Sequence, residues 1–474
     1  MKEIKSIPYH YLEYAIVCNL SCLMLAIPFL HYLVLKQLVV YSYLPNGIYF
    51  FAGISLLLLI LILINKHIEI KWGIAESLIL VLGIFGLLST MSSLVPEISF
   101  FGARARDEGL LMLLCYYLFF LMATLIKSPK VKKHLIIIMI FLGIVHSLYG
   151  GAQYFDLFKS AVINKYGKMA SGVAGNPNFF GSLQVLLIGL SIGLFYYAKG
   201  FAKKVVYLIL AVTFLGTMIL TKTMSAMFGV VVIAVIFASY IIITHRSKRI
   251  AEKVTSAHLL GGGLLLFALL LVVFNTTTNG YLYREMIGMY QEITQMVSTG
   301  EINESFGSGR FIVWKNALSL VPKYFIFGSG IDTFEYAYHA VFPKNLGMVF
   351  DKAHNEYLQM ALTQGVPALV TYLCLLSYVG YRAFLRFQAM YYNESWEKEY
   401  ENMYFGLFLA VCGYLAQAFF NISVIDVAPY YWIVLGLLAG SNSKVLRKQK
   451  FEKTMFVITE GGVKAMDENI YYEQ

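Results

Sequence analysis

Apolar runs long enough to cross a bilayer recur along the chain and alternate with short polar stretches, a pattern that predicts membrane-spanning helices. The runs place helices near 14–35, 47–64, 74–93, 109–126, 135–154, 177–198, 205–221, 224–243, 257–274, 357–381, 403–423 and 429–440. That is about twelve spans, the last short enough to tilt or re-enter. One long polar insert, residues 275–356, interrupts the series. Within it, 281–298 (Tyr281, Met286, Met289, Ile293, Met296) and 310–320 (Phe311, Trp314, Leu318) repeat apolar positions at helical spacing. The first suits a helix lying along the membrane interface.

The expected fold class is therefore an all-α polytopic membrane protein with one long loop that contains short helices. Its parts are N-terminal helices 1–9 (residues 1–274), the loop (275–356), C-terminal helices 10–12 (357–443) and a polar tail (444–474). Composition agrees. The 474 residues are 59% hydrophobic and 14% charged, whereas a soluble domain is about a quarter charged. No small-residue cleavage site follows the first apolar segment, which reads as a retained helix. Cys18, Cys22, Cys115, Cys374 and Cys412 all fall in apolar segments. Even Cys18 and Cys22, one helical turn apart, have no neighbouring ligand and read as membrane packing.

A net charge of +10 points to nucleic acid only until its distribution is considered. With the N-terminus inside, the inner segments hold 24 of the 37 Lys and Arg residues, the short outer loops seven and the long insert six. Excess Lys and Arg in short loops marks the cytoplasmic side. The expectation is that both termini are cytoplasmic and that the insert faces outward. The basic excess is then a collar against anionic headgroups, with no nucleic-acid partner.

That orientation gathers the unusual polar elements on one face: Gly102 to Gly109 with Arg104 and Arg106, Gly175-Asn176-Pro177-Asn178, Lys222, and the insert. The insert ends in Lys352-Ala353-His354-Asn355-Glu356 at a helix N-terminus. A helix N-terminus favours anions and disfavours imidazolium, so His354 would stay neutral and able to accept a proton. Equally, His354 and Asn355 could simply cap the helix. Arg310 can clamp a phosphate in bidentate fashion or remain a solvated charge, and Arg104, Arg106 and Lys222 can add to an anion site. Asn176 and Pro177 start a helix as N-cap and first-turn residue, which leaves Asn176 and Asn178 free to contact a sugar. Gly307-Ser308-Gly309 and Gly328-Ser329-Gly330 are turns without a preceding strand or a following Gly-Lys-Thr, so neither is a phosphate loop. No Asp-x-Asp, His-x-x-x-His or Glu-x-x-His pair occurs, so the sequence calls for no metal and no cofactor.

These motifs resemble those of the O-antigen ligase and Wzy-type polymerase family of bacterial surface-polysaccharide enzymes. The specific part is Arg310, Trp314, Phe327-Gly328-Ser329-Gly330, and His354-Asn355 followed after nine residues by Gly365. Gly102 to Gly109 and Gly175 to Asn178 agree less specifically, and the likeness covers roughly residues 95–385. One departure stands out: Thr221-Lys222-Thr223-Met224-Ser225 has Met224 where members often carry Arg, with Lys222 two residues away. The resemblance implies a metal-independent glycosyltransferase of the cell membrane. It would move a glycan from an undecaprenyl-pyrophosphate carrier to the hydroxyl of an acceptor glycan or glycolipid, at the outer face of the bilayer. His354 and Arg310 would be catalytic; Arg104, Arg106, Lys222, Asn176, Asn178, Trp314 and Asn355 would bind substrate. Two other classes compete with this reading. A transporter or flippase of lipid-linked oligosaccharide should carry charges deep in its cavity, and the charges here lie at the outer rim. A cell-wall glycan polymerase of the rod-shape and division type lacks the His-Asn-x9-Gly element.

Overall fold

A computed structural model describes residues 7–65, 70, 72–104, 106–158, 162–163, 165–198, 200–245, 262, 268–269, 272, 275–276, 278–299, 309–342, 350–392 and 398–440. Among these residues every regular element is helical: α1 Tyr9–Leu35, α2 Tyr43–Ile64, α3 Ile74–Met91, α4 Pro96–Phe101, α5 Leu110–Leu125, α6 Pro129–Tyr154, α7 Pro177–Tyr197, α8 Phe201–Leu220 and α9 Met224–His245. They continue with α10 Tyr281–Thr299, α11 Arg310–Leu320, α12 Phe334–His339, α13 Glu356–Thr363, α14 Val366–Tyr392, α15 Lys398–Ala418 and α16 Ala428–Ala439. Eight of the described helices are long and apolar enough to cross a membrane, namely α1, α2, α3, α6, α7, α8, α9 and α14. The chain is an all-α polytopic membrane protein. The expected span at 257–274 and the tail beyond 440 lie largely or wholly outside the described residues.

The helix starts follow local chemistry. Asn176 caps α7 by accepting from the Asn178 N–H at 2.8 Å, with Pro177 in the first turn. At the opposite end of the bundle, the Glu13 carboxylate of α1 accepts from the Ser128 N–H at 2.9 Å and so caps α6 from another helix. Lys132 returns the favour to α16, donating to the Gly440 carbonyl at 3.3 Å.

Burial sorts the helices. α7 is apolar nearly all round and sits buried in the centre, as does α16. α2, α8 and α9 turn large side chains such as Leu57, Ile209 and Val235 outward, where lipid would meet them. α7 packs closely on α15: a side chain at Gly193 would come within 2.3 Å of the Gly406 Cα. Small residues at a helix crossing let backbones approach, which is how helices associate where water supplies no drive.

Two expected spans are corrected. The run 357–381 is not one helix. It breaks at Gln364-Gly365 into α13 and α14, because Gly365 adopts φ +92° and no right-handed helix continues through that conformation. The run 403–423 begins earlier and ends earlier, at Lys398 and Ala418. Residues 419–427 form a folded connection between α15 and α16, and that connection reaches the site.

Candidate functional site

The site is built on the turn 350–355, which places His354 two residues before the first residue of α13. Asn355 is the cap, its side-chain oxygen accepting from the Leu358 N–H at 3.0 Å. Gln359 reaches back one turn to accept from the Ala353 N–H at 2.8 Å. From α11, the Trp314 indole N–H donates to the Ala353 carbonyl at 2.8 Å. Both backbone groups of Ala353 are thereby fixed by side chains. His354 itself sits at φ +50°, a left-handed conformation that non-glycine residues hold only where the surroundings impose it.

The end of α13 is held just as firmly. Ser329 and Gly330 N–H groups donate to the carbonyls of Leu362 and Thr363 at 2.9 and 3.0 Å, and the Val366 N–H donates to Phe325 at 2.8 Å. A side chain at Gly328 would come within 2.2 Å of the Thr363 carbonyl carbon, and one at Gly365 within 2.3 Å of the Ile326 oxygen. The Gly-Ser-Gly turn is thus a backbone interlock that locks the helix break. Gly365 serves the same joint, and this gives a physical reason for a glycine separated from the His-Asn pair by nine residues.

Electrostatics separate the cations around His354. Lys352 is buried and pairs with both Asp332 and Glu108, the latter at 3.1 Å. Asp332 also accepts from the Ala103 N–H at 2.6 Å, which ties the 102–109 loop to this cluster. Burial pushes the Glu108 carboxyl upward, the Lys352 charge pulls it down, and Asp332 pushes it up again. Arg106 pairs with Asp351 through Nε and Nη2 at 2.8 and 2.5 Å. Arg310, the first residue of α11, is half-buried and has no hydrogen bond or carboxylate partner among the described residues. Burial alone lowers its pKa, and a guanidinium stays charged even so.

His354 registers this setting. Its pKa is lowered from 6.5 to about 4, first by burial and next by the charge of Arg310. Arg106 and Lys352 act the same way, while Asp351 opposes them. Desolvation and the neighbouring guanidinium thus favour the neutral imidazole that the helix N-terminus predicts.

The connection 419–427 completes the floor. Phe419 and Phe420 pack against the Trp314 ring, with centroids at 5.6 and 5.8 Å. The Ser423 N–H donates to the Glu356 carboxylate at 2.5 Å, and Asp426 pairs with His31 of α1.

The structure brings together His354, Arg310, Trp314, Asn355 and Arg106. Arg104 is exposed at the edge of a neighbouring cleft. Asn176 and Asn178 sit at the far side of the 419–427 connection, where Asn421 Nδ2 lies 3.5 Å from the Asn178 carbonyl. Lys222 adopts φ +56° in the α8–α9 turn and lies over the Tyr281 ring of α10 at 5.2 Å, with no described contact to the His354 turn. Sequence reasoning missed the roles of Lys352, Glu108, Asp332 and the 419–427 connection. A Lys flanking the His-Asn pair was the one available signal.

Among the described residues no group of three or more His, Cys, Asp or Glu is arranged to hold a metal ion. In comparison with known proteins, residues 209–373 match the family model described as O-antigen ligase. That segment includes Lys222, Arg310, Trp314, the Gly-Ser-Gly turn, His354-Asn355 and Gly365, and leaves out Arg104, Arg106, Asn176 and Asn178. No curated protein matches the chain.

Proposed function

We propose, from an O-antigen ligase domain spanning residues 209–373, that the chain transfers a glycan from an undecaprenyl-pyrophosphate carrier to an acceptor hydroxyl. The reaction takes place at the outer face of the cytoplasmic membrane, with both termini cytoplasmic as the Lys and Arg distribution supports. Ligation and polymerisation share this chemistry and differ in the acceptor.

One observation carries the reading. Of the three cations that depress the His354 pKa, Arg106 and Lys352 already have carboxylate partners, and Arg310 has none among the described residues. A half-buried guanidinium with no carboxylate partner among the described residues, next to a neutral imidazole, fits a site that receives its anion from the substrate.

The step follows. The neutral His354 accepts the proton of the acceptor hydroxyl. The oxygen's electron pair forms a bond to the anomeric carbon of the donor glycan. The bond from that carbon to the phosphate oxygen breaks, and its pair leaves on the carrier pyrophosphate, whose charge Arg310 meets bidentately. His354 then gives its proton to water. Electrostatic stabilisation of the leaving group comes from side chains in this scheme, which uses no metal. Trp314 and Asn355 act as positioning residues for the His354 turn.

The test is reconstitution. The purified protein, in liposomes with the host's lipid-linked glycan and its acceptor fraction, should release carrier pyrophosphate in step with glycan reaching the acceptor. Glycan that crosses the bilayer without changing its covalent attachment would overturn the reading in favour of a transporter.

A further inference from the structure

Beside the His354 turn lies a cleft of about 610 Å³ that neither His354 nor Arg310 lines. It is framed by α4, the 102–106 turn, the start of α12 and residues 351–352. Its volume falls in the range of small-molecule sites, ~300–1,000 Å³.

The lining is chemically mixed. Glu97, Asp332, Glu335 and Asp351 face Arg104, Arg106 and Lys352, so the charges nearly balance. That does not suit a pyrophosphate, which calls for a surplus of cations as at Arg310. Two aromatic side chains stand on the same walls, Phe101 at 56% exposed and Tyr336 at 44%. Several of the polar groups are held in place in advance. Lys352 and Asp332 are buried in their own pair, and the Arg106–Asp351 pair is made through two nitrogens. Fixed carboxylates and guanidinium groups offer adjacent acceptors and donors to vicinal hydroxyls, and they lose little freedom on binding. Aromatic faces cover the apolar C–H face of a pyranose ring. Glu97 adds a carboxylate that has no hydrogen bond or ion pair to any described residue.

We infer that this cleft is a saccharide subsite, holding sugar residues of one of the two glycan substrates next to the base. The inference rests on the transferase reading for its role and on the cleft's own chemistry for its ligand. Asp351 and Lys352 link the two places. They line the cleft and precede His354 by three and two residues. A sugar seated there is one strand of backbone from the imidazole, while the carrier pyrophosphate is held separately at Arg310.

The experiment uses full-length protein in lipid nanodiscs. The probe is the mixture of oligosaccharides released by mild acid from the host's own lipid-linked glycan. Saturation-transfer NMR should show contact to ring protons with the unaltered protein. The contact should fall about tenfold in Phe101→Ala/Tyr336→Ala and weaken in Glu97→Gln. It should persist in Arg310→Ala and His354→Ala. These cleft side chains are exposed or unpaired, so their removal leaves the fold intact, which the melting temperature checks. Transfer kinetics then identify the source. A raised KM for the acceptor at constant kcat assigns the cleft to the acceptor glycan, and a raised KM for the lipid-linked donor assigns it to the donor glycan. Absence of contact in the unaltered protein, full contact in the double variant, or loss of contact in Arg310→Ala would overturn the subsite. Contact without any transfer would leave the subsite standing and remove the transferase reading alone.

Discussion

The indole N–H of Trp314 donates to the carbonyl of Ala353 at 2.8 Å, one residue before His354. The same ring lies on Phe419 and Phe420. Trp314 therefore fixes the backbone beside His354, the role the proposed mechanism gives it. Trp314→Phe keeps most of the stacking and loses the hydrogen bond, worth about 1 kcal/mol. It should lower kcat several-fold while leaving donor affinity unchanged. Single-turnover transfer alongside donor binding measures this, and a loss confined to donor binding would make Trp314 a substrate contact instead.

His354→Ala and His354→Asn should both lower transfer by roughly two to four orders of magnitude, with donor still bound at Arg310. Near-normal transfer in His354→Asn would reduce the residue to a helix cap.

The pH profile follows from the same residue. In the proposed mechanism the neutral form of His354 is the base, and its pKa is lowered to about 4. Transfer should therefore stay level as the medium is acidified from about pH 8 to about pH 5, and fall only on approaching 4. Arg310→Met removes one of the charges holding the value down, so the acid limb of its residual activity should move to higher pH. An acid limb near 6.5 in the unaltered enzyme would rule out the buried, neutral imidazole.

Arg310→Ala should abolish transfer and weaken donor binding while insertion and protein level persist. Arg310→Lys should recover part of both, since a point charge does not reproduce bidentate geometry. Undiminished activity in Arg310→Ala would return this residue to an ordinary surface charge.

The all-α architecture was readable because bilayer-length apolar runs carry their own signature. So were α10 and α11, predicted at 281–298 and 310–320 and found at Tyr281–Thr299 and Arg310–Leu320. The expected span 403–423 overran Ala418 for a physical reason. Phe419 and Phe420, which pack on Trp314, and Ile422, buried in the main core, look in sequence like the continuation of a span. The cluster of Lys352, Glu108 and Asp332 was illegible because its members lie 244 and 20 residues apart; only folding makes them neighbours. The break at Gly365 was marked by its glycine, yet hydropathy runs straight across it.

Gly365→Ala tests that break. The substitution puts a side chain at φ +92° and 2.3 Å from the Ile326 oxygen, a combined cost of about 2–5 kcal/mol. Melting temperature in detergent should drop sharply, and transfer with it. Gly380→Ala, in the same helix α14 but with open space around it, should change neither. Equal behaviour of the two variants would deny the interlock its role.

Orientation is tested by cysteines placed in a background lacking the native ones. A cysteine at Lys323, exposed just after α11, should react with an impermeant maleimide in intact cells; one at Lys130, exposed at the start of α6, should not. The opposite pattern would turn the site toward the cytoplasm.

The hydrogen bond from Ser423 to Glu356 joins two parts of the chain that the family match separates, since that match ends at residue 373. Phe419 and Phe420 cross the same border to reach Trp314. A graft of residues 209–373 into a relative would bring His354, Arg310 and the locked glycine joint. It would leave behind the surface on which Trp314 rests and the backbone donor that Glu356 requires. Exchange of activity between relatives therefore has to carry the connection after α15 along with the histidine, and the unit that can be moved extends at least through Ser423.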